Sequence, residues 1–279
     1  MRTKITFSNE QLEDIRQSYL NGESTVKIGQ RYGISHQPIR KVLEEMGIDR
    51  NQKRFVRKYN LDENYFDKID TPNKAYILGL LYADGSNCIS KGTISISLQE
   101  EDKDLLEGIR KEIRSGKPLE YLDYSKKNDF GYTYKNQYRL LLFSKHMCDQ
   151  LNNVGMIPNK SLKLKVPNLD EHLYSHFIRG YFDGDGSLTI RYTQDNKLRV
   201  LTTFTSTECF CNKIKDIIQQ SVGIPCGNVY DASCHNNVTK VLSVSGIRQN
   251  QKLHSWLYQD ANLYLQRKYD KVQMLYMHN

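Results

Sequence analysis

The sequence predicts an α+β chain: a small all-α module followed by two pseudo-symmetric αββαββα repeats. Three observations carry that prediction. Short helical periods broken by glycine fill the first 48 residues. A ten-residue pattern then occurs twice, its closing aspartates 101 residues apart. After each copy, alternating and helical patterns follow in the same order. The boundaries read as residues 1–48 for the helical module, 49–60 for a basic linker, 61–168 for the first repeat and 169–279 for the second. A chain of 279 residues has room for all of them.

Composition narrows the class. The chain holds 40 Lys+Arg against 32 Asp+Glu, a net charge of +8. No run approaches the roughly 18 apolar residues of a membrane span. The start, MRTKITFSNE, lacks the apolar core of a secretory signal. The expected location is therefore cytoplasmic or organellar, not secreted. Cys88, Cys148, Cys209, Cys211, Cys226 and Cys234 form no CxxC pair, and Cys209 with Cys211 and Cys234-His235 makes no zinc set. They read as buried or idle thiols. The charge is uneven. Residues 1–60 hold 12 basic and 7 acidic side chains, against 16 and 15 in 61–168 and 12 and 10 in 169–279.

The helical module opens at Ser8, an N-cap with Gln11 at capping-box spacing. Leu12, Ile15, Tyr19 and Leu20 give the first helix its apolar side, and Asn21-Gly22 ends it. Ser24 opens a second helix, which Gly33 breaks. Ser35 caps a third, with Pro38 in its first turn and Ile39, Val42, Leu43 and Met46 as its stripe. Helix, glycine turn, helix is the helix-turn-helix layout. The segment from Asn21 to Leu43 resembles the helix-turn-helix of resolvase-like and phage regulators. That resemblance places the third helix in a DNA major groove, with His36, Gln37, Arg40 and Lys41 toward the bases. The plainer alternative is a three-helix bundle with no ligand. Behind it, Arg50, Lys53, Arg54, Arg57 and Lys58 fall within nine residues with no acid among them. Such a run suits phosphate contacts, or a solvated tether.

The repeats begin with the doubled pattern. Its first copy is Ile77-Leu78-Gly79-Leu80-Leu81-Tyr82-Ala83-Asp84-Gly85-Ser86 and its second is Ile178-Arg179-Gly180-Tyr181-Phe182-Asp183-Gly184-Asp185-Gly186-Ser187. After the first come an alternating run over 93–98, a helix over 102–114, a strand over 137–143 and a helix over 146–154. After the second come two alternating runs with Asp195-Asn196 at the hairpin between them. A helix over 208–222, a hairpin over 229–244 and a last helical stretch complete it. Each copy of the pattern reads as a helix that ends at an acid. Gly79 and Gly180 permit a close helix crossing, as small residues do. Asp-Gly then leaves a carboxylate at the helix foot. Two such helices side by side would bring Asp84 and Asp185 together. Crowded carboxylates are costly unless a cation neutralises them, and hard oxygen donors with open positions suit Mg²⁺.

These residues resemble the LAGLIDADG homing endonucleases in their single-chain, two-repeat form, over residues 61–279. The resemblance implies that the motif helices form the interface between halves and that two sheets make a saddle on double-stranded DNA. It implies cleavage of both strands by Mg²⁺-dependent phosphodiester hydrolysis, with Mn²⁺ able to substitute. It makes Asp84 and Asp185 the metal ligands, with the carbonyls of Ala83 and Gly184 as further donors. It also implies a basic residue beside each metal centre. Lys160, in Ile157-Pro158-Asn159-Lys160-Ser161, fits the first half. Lys268 fits the second, with Arg267 next to it as the competing choice. Their role would be to stabilise charge at the scissile phosphate. Two positions depart from the pattern. Tyr82 replaces an acid that Asp183 keeps, and Arg179 stands where a small residue is usual, which should loosen or reshape the crossing.

Strand alternation places Thr189, Arg191, Lys197, Arg199 and Thr203 opposite the apolar side chains, on the face proposed for DNA. In the first half that face reads Thr93, Ser95 and Ser97, with Gln137 and Arg139 added. An ordinary solvated face is the plain alternative. The expected state is a monomer with internal pseudo-twofold symmetry and no membrane association. Two other functions share the fold: a non-catalytic DNA-binding regulator, which would be expected to lose an aspartate, and an RNA maturase. A-form RNA hides its major groove, so a helix-turn-helix favours duplex DNA over RNA.

Overall fold

A computed structural model describes residues 5–48, 58–125, 128–129, 132–158, 160–232 and 239–277. The chain divides into two compact units, 1–59 and 60–279.

The smaller unit is three helices: α1 (Asn9–Leu20), α2 (Thr25–Arg31) and α3 (His36–Glu45). The capping box forms as its spacing requires. Ser8 Oγ accepts from the Gln11 amide, and Gln11 Oε1 accepts from the Ser8 amide. Ser24 caps α2 through the Lys27 amide. Ser35 sits at the N-cap of α3, yet no helix amide donates to its side chain. The sequence explains this: Pro38 stands third in the helix and has no N–H to give. Ile15, Ile28, Ile39, Val42 and Leu43 form the buried core. The exposed side of α3 carries Gln37, Arg40 and Lys41.

The larger unit contains the repeats. The first half runs α4 (Pro72–Asp84), β1 (Gly85–Cys88), β2 (Thr93–Gln99), α5 (Lys103–Glu112), β3 (Glu120–Leu122), a two-strand excursion of β4 (Asn128–Asp129) and β5 (Tyr132–Thr133), β6 (Gln137–Phe143) and α6 (Lys145–Asn153). The second runs α7 (Tyr174–Asp185), β7 (Ser187–Tyr192), β8 (Leu198–Ser206), α8 (Glu208–Val222), β9 (Tyr230–Asp231), β10 (Lys240–Ser245), α9 (Ile247–Tyr258) and α10 (Gln266–Gln273). The two four-stranded sheets have the same antiparallel order, β1-β2-β6-β3 and β7-β8-β10-β9. The repeat read in the sequence is thus a repeat in topology.

The core follows from strand alternation. Ile94, Ile96, Leu98, Leu140 and Leu142 point inward from the first sheet, and Leu188, Val200, Phe204, Leu242 and Val244 from the second. Their neighbours in sequence point the other way. Between the halves lie α4 and α7. Residues Ala75 to Tyr82 are all buried, as befits a helix that is apolar on every side. The crossing is close because two glycines make it so. A Cβ on Gly79 would stand 2.0 Å from the Phe177 carbonyl oxygen, and one on Gly180 2.0 Å from that of Tyr76.

Arg179 does not loosen this crossing. It is fully buried, with its guanidinium set among α4, α9 and the segment before α10. Its Nη1 donates to the Leu257 carbonyl at 2.7 Å and its Nε to that of Leu263 at 3.2 Å. Its guanidinium also lies 5.0 Å from the centre of the Tyr76 ring. Arg179 therefore ties α7 to α9 and to the lead-in of α10. Among the described residues, no helix is long and apolar enough to cross a membrane.

Candidate active site

The site lies at the shared foot of α4 and α7. Each helix ends on its aspartate; α4 passes directly into β1, and α7 reaches β7 through Gly186 alone. Gly85 and Gly186 follow in extended backbone, with φ −82° and −77°. A Cβ on Gly85 would lie 2.7 Å from Leu81 Cα, and one on Gly186 2.7 Å from Phe182 Cα. Glycine is needed here for space, so that the chain can double back on the last helical turn. The two feet touch: a Cβ on Gly184 would lie 2.2 Å from Ala83 Cβ and 2.9 Å from Asp84 Oδ2.

Both aspartates reach solvent, yet the surrounding protein strips away enough water to disfavour their charge. Partial desolvation, then the charge of Asp185, pushes the Asp84 carboxyl up to about 6; Lys268, Lys160 and Arg267 oppose the shift. Asp185 is raised for the same first reason, with Lys160 and Lys268 opposing.

A lysine approaches from each half in the same way. Lys160 Nζ donates to the carbonyls of Ala83, at 3.1 Å, and Gly85, at 2.8 Å. Lys268 Nζ donates to those of Gly184, at 3.3 Å, and Gly186, at 2.6 Å, and also to Phe182 at 2.5 Å. Each ammonium therefore grips the backbone on either side of its own half's aspartate. Burial lowers both lysines, Lys268 to about 8. Arg267 goes elsewhere. Its Nε donates to Asp102, at 3.1 Å to one oxygen and 3.3 Å to the other. The geometry separates the two neighbours that the sequence left in competition.

The residues two before the aspartates hold the site together. Tyr82 Oη donates to the Val154 carbonyl at the end of α6. Asp183 is buried and accepts three bonds: from Tyr76 Oη at 2.8 Å, Tyr258 Oη at 3.1 Å and the Leu265 amide at 2.8 Å. Burial raises its carboxyl to about 6, against the pull of those donors. Both side chains anchor the segments that lead to the lysines. Sequence reasoning assigned the position no role; the partners lie too far along the chain to be read from it.

Among the described residues, no three or more His, Cys, Asp or Glu side chains come together so as to hold a metal ion. The donors at the site are two carboxylates and the carbonyls of Ala83 and Gly184, each of which accepts from its half's lysine and keeps a second lone pair. All are hard oxygens. They fit a cation that keeps several waters, as Mg²⁺ does, and offer nothing to a thiophilic one.

Around the site, Thr189 and Arg191 on β7 and Arg199 and Thr203 on β8 face away from the core, with Arg191 directly opposite Arg199. Lys197 lies in the turn before β8, paired with Asp195 at 2.7 Å. In the first sheet Gln137 and Arg139 share the outward face with Thr93, Ser95 and Ser97. Arg139 is already engaged: its Nε and Nη2 donate to Glu120 at 2.9 and 2.6 Å. The sequence reading missed Glu120 because β3 has only three residues, too few to show alternation. In the helical unit, His36 is half-buried and Gln37, Arg40 and Lys41 are exposed, with Lys41 3.8 Å from Glu45. Lys58 lies 5.2 Å from the centre of the Tyr59 ring. Lys53, Arg54 and Arg57 fall outside the described residues.

No family model matches the chain, and no curated protein matches it. Solved structures do. The chain is similar to the I-LtrWI LAGLIDADG homing endonuclease bound to target DNA, at 13% identity over 77% of this chain and 90% of that one, with a TM-score of 0.48. It is similar to meganuclease I-SmaMI bound to uncleaveable DNA, at 12% identity over 74% and 89%, with a TM-score of 0.49. It is also similar to the LAGLIDADG homing endonuclease I-GzeII in complex with a DNA target, at 12% identity over 74% and 89%, with a TM-score of 0.47.

Proposed function

We propose that this chain is a site-specific endonuclease that breaks both strands of a DNA duplex by metal-dependent phosphodiester hydrolysis. One observation carries the reading: two crossing helices bring Asp84 and Asp185 together, and each foot is gripped by a lysine from its own half. A regulator that only bound DNA would have no use for paired carboxylates whose charge the fold disfavours. The doubled motif supports the same reading by its resemblance to the LAGLIDADG homing endonucleases.

Asp84 and Asp185, with the carbonyls of Ala83 and Gly184, would hold Mg²⁺ or Mn²⁺. When bound there, such an ion would supply Lewis-acid chemistry and a more acidic water. Lys160 and Lys268 place positive charge at the same two feet. There they stabilise the charge that builds on the phosphate and help to balance the carboxylates. The outward faces of the two sheets, with Arg191 and Arg199 foremost, bind the phosphates and base edges of a long target. The exposed side of α3 and the basic segment after it add contacts beyond the cleavage site. A single chain supplies both halves, so it acts as a monomer.

A plasmid library of randomised sites, incubated with the full chain and Mg²⁺, tests the reading. We expect linear product from a small set of sites, and from the intron-lacking allele of the chain's own locus. Protein that binds a site but leaves both strands whole would overturn it.

A further inference from the structure

The N-caps of α5 and α8 face the opposite half. Asp102 stands at the N-cap of α5, yet no helix amide donates to its side chain. Its buried carboxylate is spent on Arg267 of the second half, the residue before Lys268. The approach to Arg267 packs on the same helix: a Cβ on Gly108 of α5 would lie 3.2 Å from Leu263 Cδ2. In the second half, Thr207 stands at the N-cap of α8. It accepts from the Phe210 amide at 3.2 Å, and its hydroxyl donates to the Leu164 carbonyl of the first half at 2.6 Å. Leu164 is buried and follows the single turn Lys160–Leu162 that carries Lys160.

We propose that Asp102 and Thr207 are positioning residues, each holding, from one half, the segment that presents the other half's lysine. The proposal rests on the nuclease reading above. A pair between a buried carboxylate and a half-exposed guanidinium adds little net stability, but with both carboxylate oxygens turned to Nε it fixes where the Arg267 side chain sits. Diverting a helix cap to such a pair makes sense where geometry is what is needed. Lys160 and Lys268 stand at different aspartates, so they serve different strands. Cutting of one strand then depends on Asp102 and cutting of the other on Thr207.

The test uses the full chain and a supercoiled plasmid carrying a site recovered by library selection with Mg²⁺, the two strands labelled separately. Asp102→Ala and the isosteric Asp102→Asn should slow cutting of one strand on the order of 10- to 100-fold, so that nicked circles accumulate. Thr207→Val should slow the other strand instead. Binding of the same site in the presence of chelator should be unchanged. Hydrogen exchange should rise in residues 263–273 for the Asp102 variants and in 160–166 for Thr207→Val. A loss of stability alone would slow both strands together. Equal slowing of both strands, or none, in variants whose wild type cuts both overturns the positioning role alone. A library from which the wild type with Mg²⁺ yields no cut site overturns the nuclease reading and this proposal with it.

Discussion

Gly79 and Gly180 face each other across the α4–α7 crossing, each with the other helix's backbone where its side chain would be. A Cβ at either would sit 2.0 Å from a carbonyl oxygen, and backbone cannot yield as a flexible side chain can. Alanine at either position must push the helices apart. We expect Gly79→Ala and Gly180→Ala each to cost ~3 kcal/mol or more, read by urea denaturation. A stability within ~0.5 kcal/mol of wild type would show that the crossing can relax at no cost. Cleavage should fall further than stability explains, because Asp84 and Asp185 separate with the helices.

The two carboxylates weaken the fold that carries them. Asp84 has a folded-state pKa of about 6, above its ordinary 3.8, so the folded state disfavours its ionised form. Its contribution to stability is therefore lost as pH rises from about 4 to about 6. Above that range, Asp84→Asn should raise stability. Because the side chain reaches solvent, screening reduces the gain to ~1 kcal/mol. Asp185→Asn should act in the same direction. Both variants should still bind the target, and neither should cut both strands. A melting temperature that falls in both variants would contradict the electrostatic account.

Much of this was legible in the sequence, and the reason is local. The doubled motif places its own aspartates, because the apolar run and the Asp-Gly end lie within ten residues. α8 falls at 208–222 as its period requires. The longer strands β2, β6, β7 and β8 follow from alternation, whereas β1 and β3 are too short to show it. What could not be read depends on partners remote in sequence. Arg179 looked like a fault in the crossing because its acceptors, the carbonyls of Leu257 and Leu263, come far later in the chain. Lys268 and Arg267 are adjacent, and no local pattern says which one turns toward Gly186 and which toward Asp102. The buried set of Thr202, Asn250 and His254 was equally hidden. Thr202 Oγ1 lies 2.5 Å from Asn250 Oδ1 and 2.8 Å from His254 Nε2, and it occupies a strand position that periodicity fills with an apolar residue.

The charges at the site define a pH window. Asp84 takes up a proton as pH falls through about 6, and Lys268 loses one as pH rises through about 8. An anionic Asp84 and a cationic Lys268 coexist between those values. Affinity for Mg²⁺, measured on the free protein by calorimetry, should rise with pH through the lower limit, with proton release on binding. Single-turnover cleavage should decline above the upper limit. Lys268→Arg, whose charge persists, should carry activity to higher pH. An alkaline decline that is identical in Lys268→Arg would assign that limb to another group.

The outward sheet faces differ in charge, and the difference has a measurable consequence. On the second sheet Arg191 and Arg199 lie directly opposite each other, an arrangement that costs energy until an anion sits between them. On the first sheet Arg139 is held by Glu120, and Lys117 is paired with the same carboxylate. The second half should therefore release more counterions from DNA. Each of Arg191→Ala and Arg199→Ala should reduce the slope of log Kd against log salt by ~0.9, measured by fluorescence anisotropy on the selected site. Arg139→Ala should change it far less, while Glu120→Ala, which frees Arg139 and Lys117, should steepen it and tighten binding. If Arg139→Ala instead flattens the slope as much as Arg191→Ala does, Glu120 gives up its partners when DNA arrives, and the two halves bind alike.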